Sequence, residues 1–474
     1  MEVRVKLIDS HSSIKYIASW MMLVLTTPSF AAPVNTSDFE SLDKRFQQFS
    51  QNFYTQISQQ GTLPLNKYKS TTELRKIVDA DIKAGKSIHA IALIHHNLET
   101  ILANIDAQEV VPLTAILLEN NHWQSAKHIF ETAQVEASKS ATSNISFEFA
   151  KFFMQRKDWQ SALEYLNDIS NELSPENANY AYLMTGTILQ HQKDHRGSIK
   201  HYKKINPSSK YYPSAVLNTA IAYIRQDWWT DAHIVINDTI TKHNKHLSHL
   251  MADRLNLVLG YALLRKEFFR NSRDAFRNVS LTSPYTNKAL LGIALSAVNQ
   301  DDFIGALNAI KILKDKKTTD LSVDESYLLL PYTYGKLKQN LTATSAYNVA
   351  ITYYQERISR IEEIIRMDEN LLRMTKISLT ENTIRIRSNE FDYSSQYPGS
   401  FFDNYIRLLA MEKTASKLPE KLRQQYDRLY SDNKISLKNI NLQLLLQRKE
   451  YLQSYLNQAR YGLARIFDNS LATN

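Results

Sequence analysis

His191 and His195 stand four apart in the string HQKDH, a spacing that sets two metal ligands on one helix face. The glutamate that a zinc hydrolase needs beside the first histidine is missing. His195 also fills a slot that Trp159 and Trp229 fill in neighbouring segments, so packing accounts for it. His243, His246 and His249 follow at i, i+3 and i+6 beside Lys242 and Lys245, and read as a solvated basic edge. His95 and His96 are adjacent and diverge on a helix. Gly85-Lys86-Ser87 resembles the end of a phosphate loop, but Ala80 stands where its first glycine belongs. No nucleophile elbow or dinucleotide fingerprint is present, and no two carboxylates are marked as an acid/base couple. With 0 cysteines, thiolate metal sites, iron–sulfur clusters and disulfides are excluded. The reading is a protein without catalytic residues, cofactor or metal site.

The elements carrying these residues are helical. Of 474 residues only 10 are glycine and 11 proline, too few for the turns of an all-β fold, while 43% hydrophobic residues can build a core. Arg4, Lys6 and Lys15 precede an apolar run from Ile17 to Thr27, followed by small residues at Ser29 and Ala31. That is the plan of a secretory signal peptide ending near Ala31–Ala32, with an uncleaved anchor as the alternative. The mature chain is expected to be periplasmic, without a membrane span. The net charge of +9 would suit nucleic acid, but export excludes that partner and favours acidic envelope components.

A repeat runs through the middle. A polar turn leads to an aromatic residue, and a small residue follows three positions later: Trp123 with Ala126, Trp159 with Ala162, Trp229 with Ala232, Phe303 with Ala306. His195 with Ser198 and Phe269 with Ser272 follow the same plan. The small positions recur every 34 to 40 residues, the period of a helix–turn–helix unit. Four residues after them come Phe130, Tyr202 and Phe276. Twelve residues before them stand Ala150, Gly186, Ala220, Gly260 and Ala294. Two antiparallel helices approach closely only where both present small side chains, and the aromatics fill the space beside that contact.

This small–aromatic–small pattern, with Pro284 closing one unit, resembles the tetratricopeptide repeat over residues 71–355, in about eight units. The resemblance implies an all-α, right-handed solenoid of helical hairpins whose concave groove binds a peptide, a helix or another domain. Before it, residues 32–70 hold an amphipathic helix with the stripe Phe39, Leu42, Phe46, Phe49 and Phe53, read as a cap or a docking helix. After it, residues 356–474 read as a long-helix hairpin or small bundle: one helix to about Arg387, an aromatic break at 388–399, and a last helix over 434–467. That segment either caps the solenoid or projects as a coiled coil. Phe391, Tyr393, Tyr397, Phe401 and Phe402 are its candidate partner-binding residues. The expected function is a non-enzymatic scaffold or adaptor for proteins of a cell-envelope complex, with homo-oligomerisation open. The alternative is a binding module for an anionic glycan or cell-wall polymer.

Overall fold

The computed structural model describes residues 36–471 except 61–62, 168, 170–171, 243–246, 317–319, 374, 379–382, 389–390 and 393–398. The signal-peptide segment, His243, His246, Tyr393 and Tyr397 therefore lie outside the described residues. The fold is an α-helical solenoid. After the N-terminal helix Thr36–Gln60, helices pair into eight successive hairpins. The first is Thr71–Lys83 with Ser87–His96, the second Val110–Glu119 with Trp123–Glu136, and the third Lys139–Gln155 with Trp159–Asn167. Then come Pro175–His191 with His195–Tyr202, Tyr212–Arg225 with Trp229–Lys242, and His249–Arg265 with Phe269–Arg277. Thr286–Asn299 with Phe303–Lys314 and Leu321–Lys336 with Asn340–Ile365 complete the array.

One backbone device makes every turn. Gly85, Asn121, Lys157, Lys193, Asp227, Glu267, Asp301 and Lys338 all have φ between 56° and 71°. In each, the next residue donates its N–H to the carbonyl five positions back, at 2.7–3.0 Å. This left-handed helix stop closes the first helix and launches the second. It usually employs glycine, because a Cβ costs energy at positive φ. Here only the first hairpin does so.

The small positions Ala126, Ala162, Ser198, Ala232, Ser272, Ala306 and Ala343 are at most 2% exposed. Across the sixth hairpin, Ser272 Oγ donates to the Gly260 carbonyl at 2.8 Å. The Phe276 ring fills the space beside this contact. It lies between Gly260 of its own hairpin and Gly292 of the next, where a Cβ would stand 2.6 and 2.4 Å from the ring. Gly186 meets Tyr202 in the same way. The turn aromatics reach forward: Trp123 packs on Phe149 and Phe153 of the third hairpin, with ring centroids 5.8 and 5.5 Å apart. Each unit thus covers the apolar face its neighbour leaves.

The C-terminal part departs from its sequence expectation. The helix expected to reach Arg387 stops at Ile365, and residue 356, expected to begin a new segment, lies inside it. A short helix, Asp368–Arg373, leads into three antiparallel strands: β1 (Thr375–Ser378), β2 (Thr383–Ser388) and β3 (Phe391–Asp392). Thr383-Ile384-Arg385-Ile386-Arg387 alternates apolar and polar residues with β-branched side chains, the pattern of a strand rather than a helix. Ile377 stands opposite Ile384. After Gly399–Ala415, one helix of 52 residues, Glu420–Leu471, replaces the expected shorter one. At 1.5 Å per residue it is about 78 Å long. Ser431-Asp432-Asn433 does not break it, because the buried Asn433 side chain donates to the Leu429 carbonyl at 2.7 Å within the helix.

This helix neither projects nor caps one end. Leu422, Tyr426, Leu429, Leu437, Ile440 and Leu444 join the core of the N-terminal helix and first hairpins. Leu445, Leu452, Leu456 and Ala459 join the core of the last hairpin with Tyr347, Tyr354 and Ile361. One strut therefore bolts both ends of the array. Among the described residues, the buried apolar side chains of 193–316 fall in clusters built by the array's own hairpins.

A glycine pair tests the register. Gly260→Ala is expected to cost about 1–3 kcal/mol by overpacking Phe276, despite alanine's higher helix propensity. Gly335→Ala, whose Cβ meets nothing within 4 Å, is expected to gain about 0.5–1 kcal/mol. Urea unfolding of both variants checks this; equal effects would contradict the packing.

Candidate functional site

Two polar clusters fix the C-terminal elements to the array, the first through Gly399–Ala415 and the second through the strut. At the first, the left-handed turn residue Asn121 is buried and serves as a hub. Its amide donates to Asn404 Oδ1 at 2.8 Å and to Asp43 Oδ1 at 3.3 Å. Asn404 Nδ2 donates to the same Asp43 oxygen at 2.7 Å, and Arg156 donates to Asn121 Oδ1 at 2.8 Å. Four elements meet there: the N-terminal helix, the turn of the second hairpin, the end of Lys139–Gln155, and Gly399–Ala415. Arg407 donates to the Glu119 carbonyl and, at 3.3 Å, to Asn120 Oδ1. Next in the turn, His122 is buried against Tyr54, ring centroids 4.4 Å apart, with Nε2 3.2 Å from Ser50 Oγ. Burial pushes the His122 pKa down to about 3, helped by His95 and Arg407, so the ring is neutral. Phe39 stands edge-on to Phe401 at 5.1 Å, and Phe49 lies 5.9 Å from Tyr426.

At the second anchor, Asp324 of the last hairpin is wholly buried. It accepts from Tyr353 Oη at 2.6 Å and from Arg448 of the strut, and the Arg357 guanidinium lies 3.6 Å away. Tyr354 Oη donates to the Asp324 carbonyl at 2.7 Å. Arg448 is 124 residues from Asp324 in the chain. Glu325, also buried, faces no cation of this cluster. Burial, and then the Asp324 charge, push its pKa up to about 8, so it is protonated near neutrality.

These hubs link segments far apart in the chain. Asp43 and Asp324 are each committed to donors within the chain. No three His, Asp or Glu side chains among the described residues converge on a metal position. His191 stacks on Trp159, centroids 4.2 Å apart and planes at 13°. His195 starts its helix in the slot that Trp159 and Trp229 fill in neighbouring hairpins.

The expected partner-binding aromatics are placed differently. Phe401 is 3% exposed and Phe402 half-buried against the same core, so both serve the first anchor. They point inward because Gly399–Ala415 is clamped against the N-terminal helix. Phe391 lies in β3 opposite Ser388. Sequence reasoning missed Asp43, Asn121, Asn404 and Arg407, whose partners lie up to 361 residues away. Asp324-Glu325 did carry a signal: two carboxylates inside the apolar stretch Leu321–Pro331.

No helix among the described residues is long and apolar enough to cross a membrane. No protein-family model matches the chain, and no curated protein matches it. Many solved structures resemble it loosely, and three illustrate the likeness. The apo form of RapI shares 10% identity, covers 78% of this chain and 98% of its own, and gives a TM-score of 0.42. A tetratricopeptide repeat protein from Parabacteroides merdae shares 14%, covers 56% and 99%, and scores 0.36. The apo quorum sensor NprR from B. thuringiensis shares 12%, covers 74% and 97%, and scores 0.34. At these scores the likeness adds nothing to the hairpin geometry, on which the repeat assignment rests.

Two outcomes follow from the anchors. Arg448→Ala leaves Asp324 short of a cation in a dry site and is expected to cost about 3–5 kcal/mol. Arg45→Ala, which breaks the exposed 2.7 Å pair with Asp432, is expected to cost below about 1 kcal/mol. Denaturant unfolding separates them. The second outcome concerns pH. The unfolded chain binds the proton of His122 more tightly between pH 3 and 6.5, so stability falls as pH drops below about 6.5. The folded chain binds that of Glu325 more tightly between pH 4.5 and 8, so stability falls as pH rises above about 4.5. The slopes oppose each other between those limits and leave a plateau. Thermal melts across pH should show it, and Glu325→Gln should flatten the alkaline limb.

Proposed function

We propose that the protein is a non-enzymatic scaffold that holds protein partners on a solenoid of fixed curvature. The observation that carries this reading is the double anchorage of the Glu420–Leu471 helix. A repeat array held at one end flexes along its length, because each unit touches only its neighbours. Tying the first and last hairpins to one rigid strut sets the curvature of everything between them. A preorganised surface binds without the ordering cost of a flexible one. The strut spends most of its apolar residues on the array itself, which leaves the uncovered hairpins as the broader surface for partners.

Export supports the envelope as the setting. Arg4, Lys6 and Lys15, the apolar run from Ile17 and the small residues before Pro33 form a leader. The partners are then proteins of a periplasmic or cell-envelope complex. The net charge of +9 favours one second reading, a module for an anionic glycan or wall polymer.

Photo-crosslinking residues placed at Lys200, Arg270 and Lys421 test the scaffold in cells. Discrete protein adducts are expected at the first two, on the uncovered hairpins, and none at Lys421 on the strut. Adducts confined to Lys421, or to wall polymer at every position, would contradict the reading.

A further inference from the structure

The positive charge of the chain is not spread over it. Residues 193–316 contain 19 lysines and arginines against 10 aspartates and glutamates, a surplus of 9. The whole-chain net charge is also +9, so the remaining residues cancel to zero. The charged stretch coincides with the hairpins that the strut leaves uncovered.

Within it, the turns of the fourth, fifth and sixth hairpins form an edge where cations alternate with aromatic rings. The Arg196 guanidinium of the fourth hairpin lies 5.4 Å from the ring centroid of Trp228 in the fifth. Lys266 of the sixth lies 4.8 Å from Trp229 of the fifth. Both distances are those of cation–π contacts that hold a long side chain over a ring. Trp228 is 38% exposed and Phe268, at the next turn, 55% exposed. Arg196, Lys266 and Arg270 are exposed. The edge therefore offers fixed cations and apolar ring faces side by side, on turns whose backbone is held by the left-handed stop.

We propose that this edge docks an acidic, amphipathic segment of a partner protein, with carboxylates on Arg196, Lys266 and Arg270 and aliphatic side chains on Trp228 and Phe268. The inference rests on the scaffold reading and names the chemistry of the partner. Charge complementarity selects an anionic occupant. The edge's own carboxylates select a protein segment over a uniform polyanion. Asp227 lies 3.0 Å from Lys266 beside the two tryptophans, and Asp194 caps the helix that carries Arg196. A polymer with a charge on every unit meets these carboxylates at close quarters. A protein segment can place aliphatic residues there and its own carboxylates between. Exposed tryptophan and arginine are also the side chains in which binding energy concentrates at protein interfaces.

The test uses the full exported chain and a fluorescein-labelled peptide repeating Glu-Glu-Leu, read by fluorescence anisotropy. Arg196→Ala/Lys266→Ala/Arg270→Ala together should weaken binding about tenfold or more, and Trp228→Ala about tenfold. Lys421→Ala/Arg428→Ala/Lys434→Ala, which removes equal charge from the strut, should leave it within about twofold. Circular-dichroism melts confirm that each variant folds. The proposal is overturned if both triple variants weaken binding equally, or if a Gln-Gln-Leu peptide binds as well. It is also overturned if a heparin oligosaccharide binds more tightly than the peptide and ignores Trp228→Ala. If the first triple variant loses the peptide while the cellular crosslinks persist, the edge is wrong and the scaffold stands. If no crosslinks form in cells while the peptide binds as described, the scaffold reading is what fails.

Discussion

An array of helical hairpins has two raw ends, because every unit buries its apolar face only against the next. How those ends are covered decides whether the array is a spring or a frame. Here a single helix covers both. Phe46, Phe49 and Phe53 at one end and Tyr354 and Ile361 at the other are buried at most 3% exposed, and each group shares its core with strut residues. The N-terminal stripe and the C-terminal helices are therefore not accessory segments. They are the two halves of one closure.

Apolar burial alone would tolerate sliding of so long a helix by a turn or more. A buried ion pair makes such a slip costly. Moving the strut one turn takes Arg448 away from Asp324 and leaves charges buried without partners, which costs several kcal/mol. The Asn121–Asn404–Asp43–Arg156 cluster does the same for the element preceding the strut. Because Asn121 is at once the helix-stop residue of its hairpin and the hub of this cluster, the turn geometry of the array and its closure share an atom set.

The array was legible because its physics is local. Trp159 with Ala162, or Gly260 with Ser272 and Phe276, repeats a requirement at a fixed spacing, and the structure supplies its reason in the Phe276 ring between two glycines. The turns were less legible. Lys157, Lys193 and Glu267 carry no turn signal, since the backbone hydrogen bond rather than the side chain selects the left-handed conformation. The strands at 375–392 were legible in the alternation of TIRIR, but the long amphipathic helix before them masked the change of period. The anchors were not legible. A pairing such as Asn404 with Asp43 belongs to no motif and depends on the curvature of every hairpin between them. The aromatic cluster at Phe401 and Phe402 looked like a surface for a partner, and its partner is the N-terminal helix.

The central claim is that the N-terminal helix, the last hairpin and the strut form one cooperative unit that sets the curvature of the rest. Native-state hydrogen exchange measures this most directly. Amides of 36–60, 340–365 and 420–471 should share one opening free energy, higher than that of the hairpins between 193 and 316. If the strut instead opens alone at a lower free energy, while the hairpins at both ends keep their protection, it is a detachable lid and the solenoid sets its own shape.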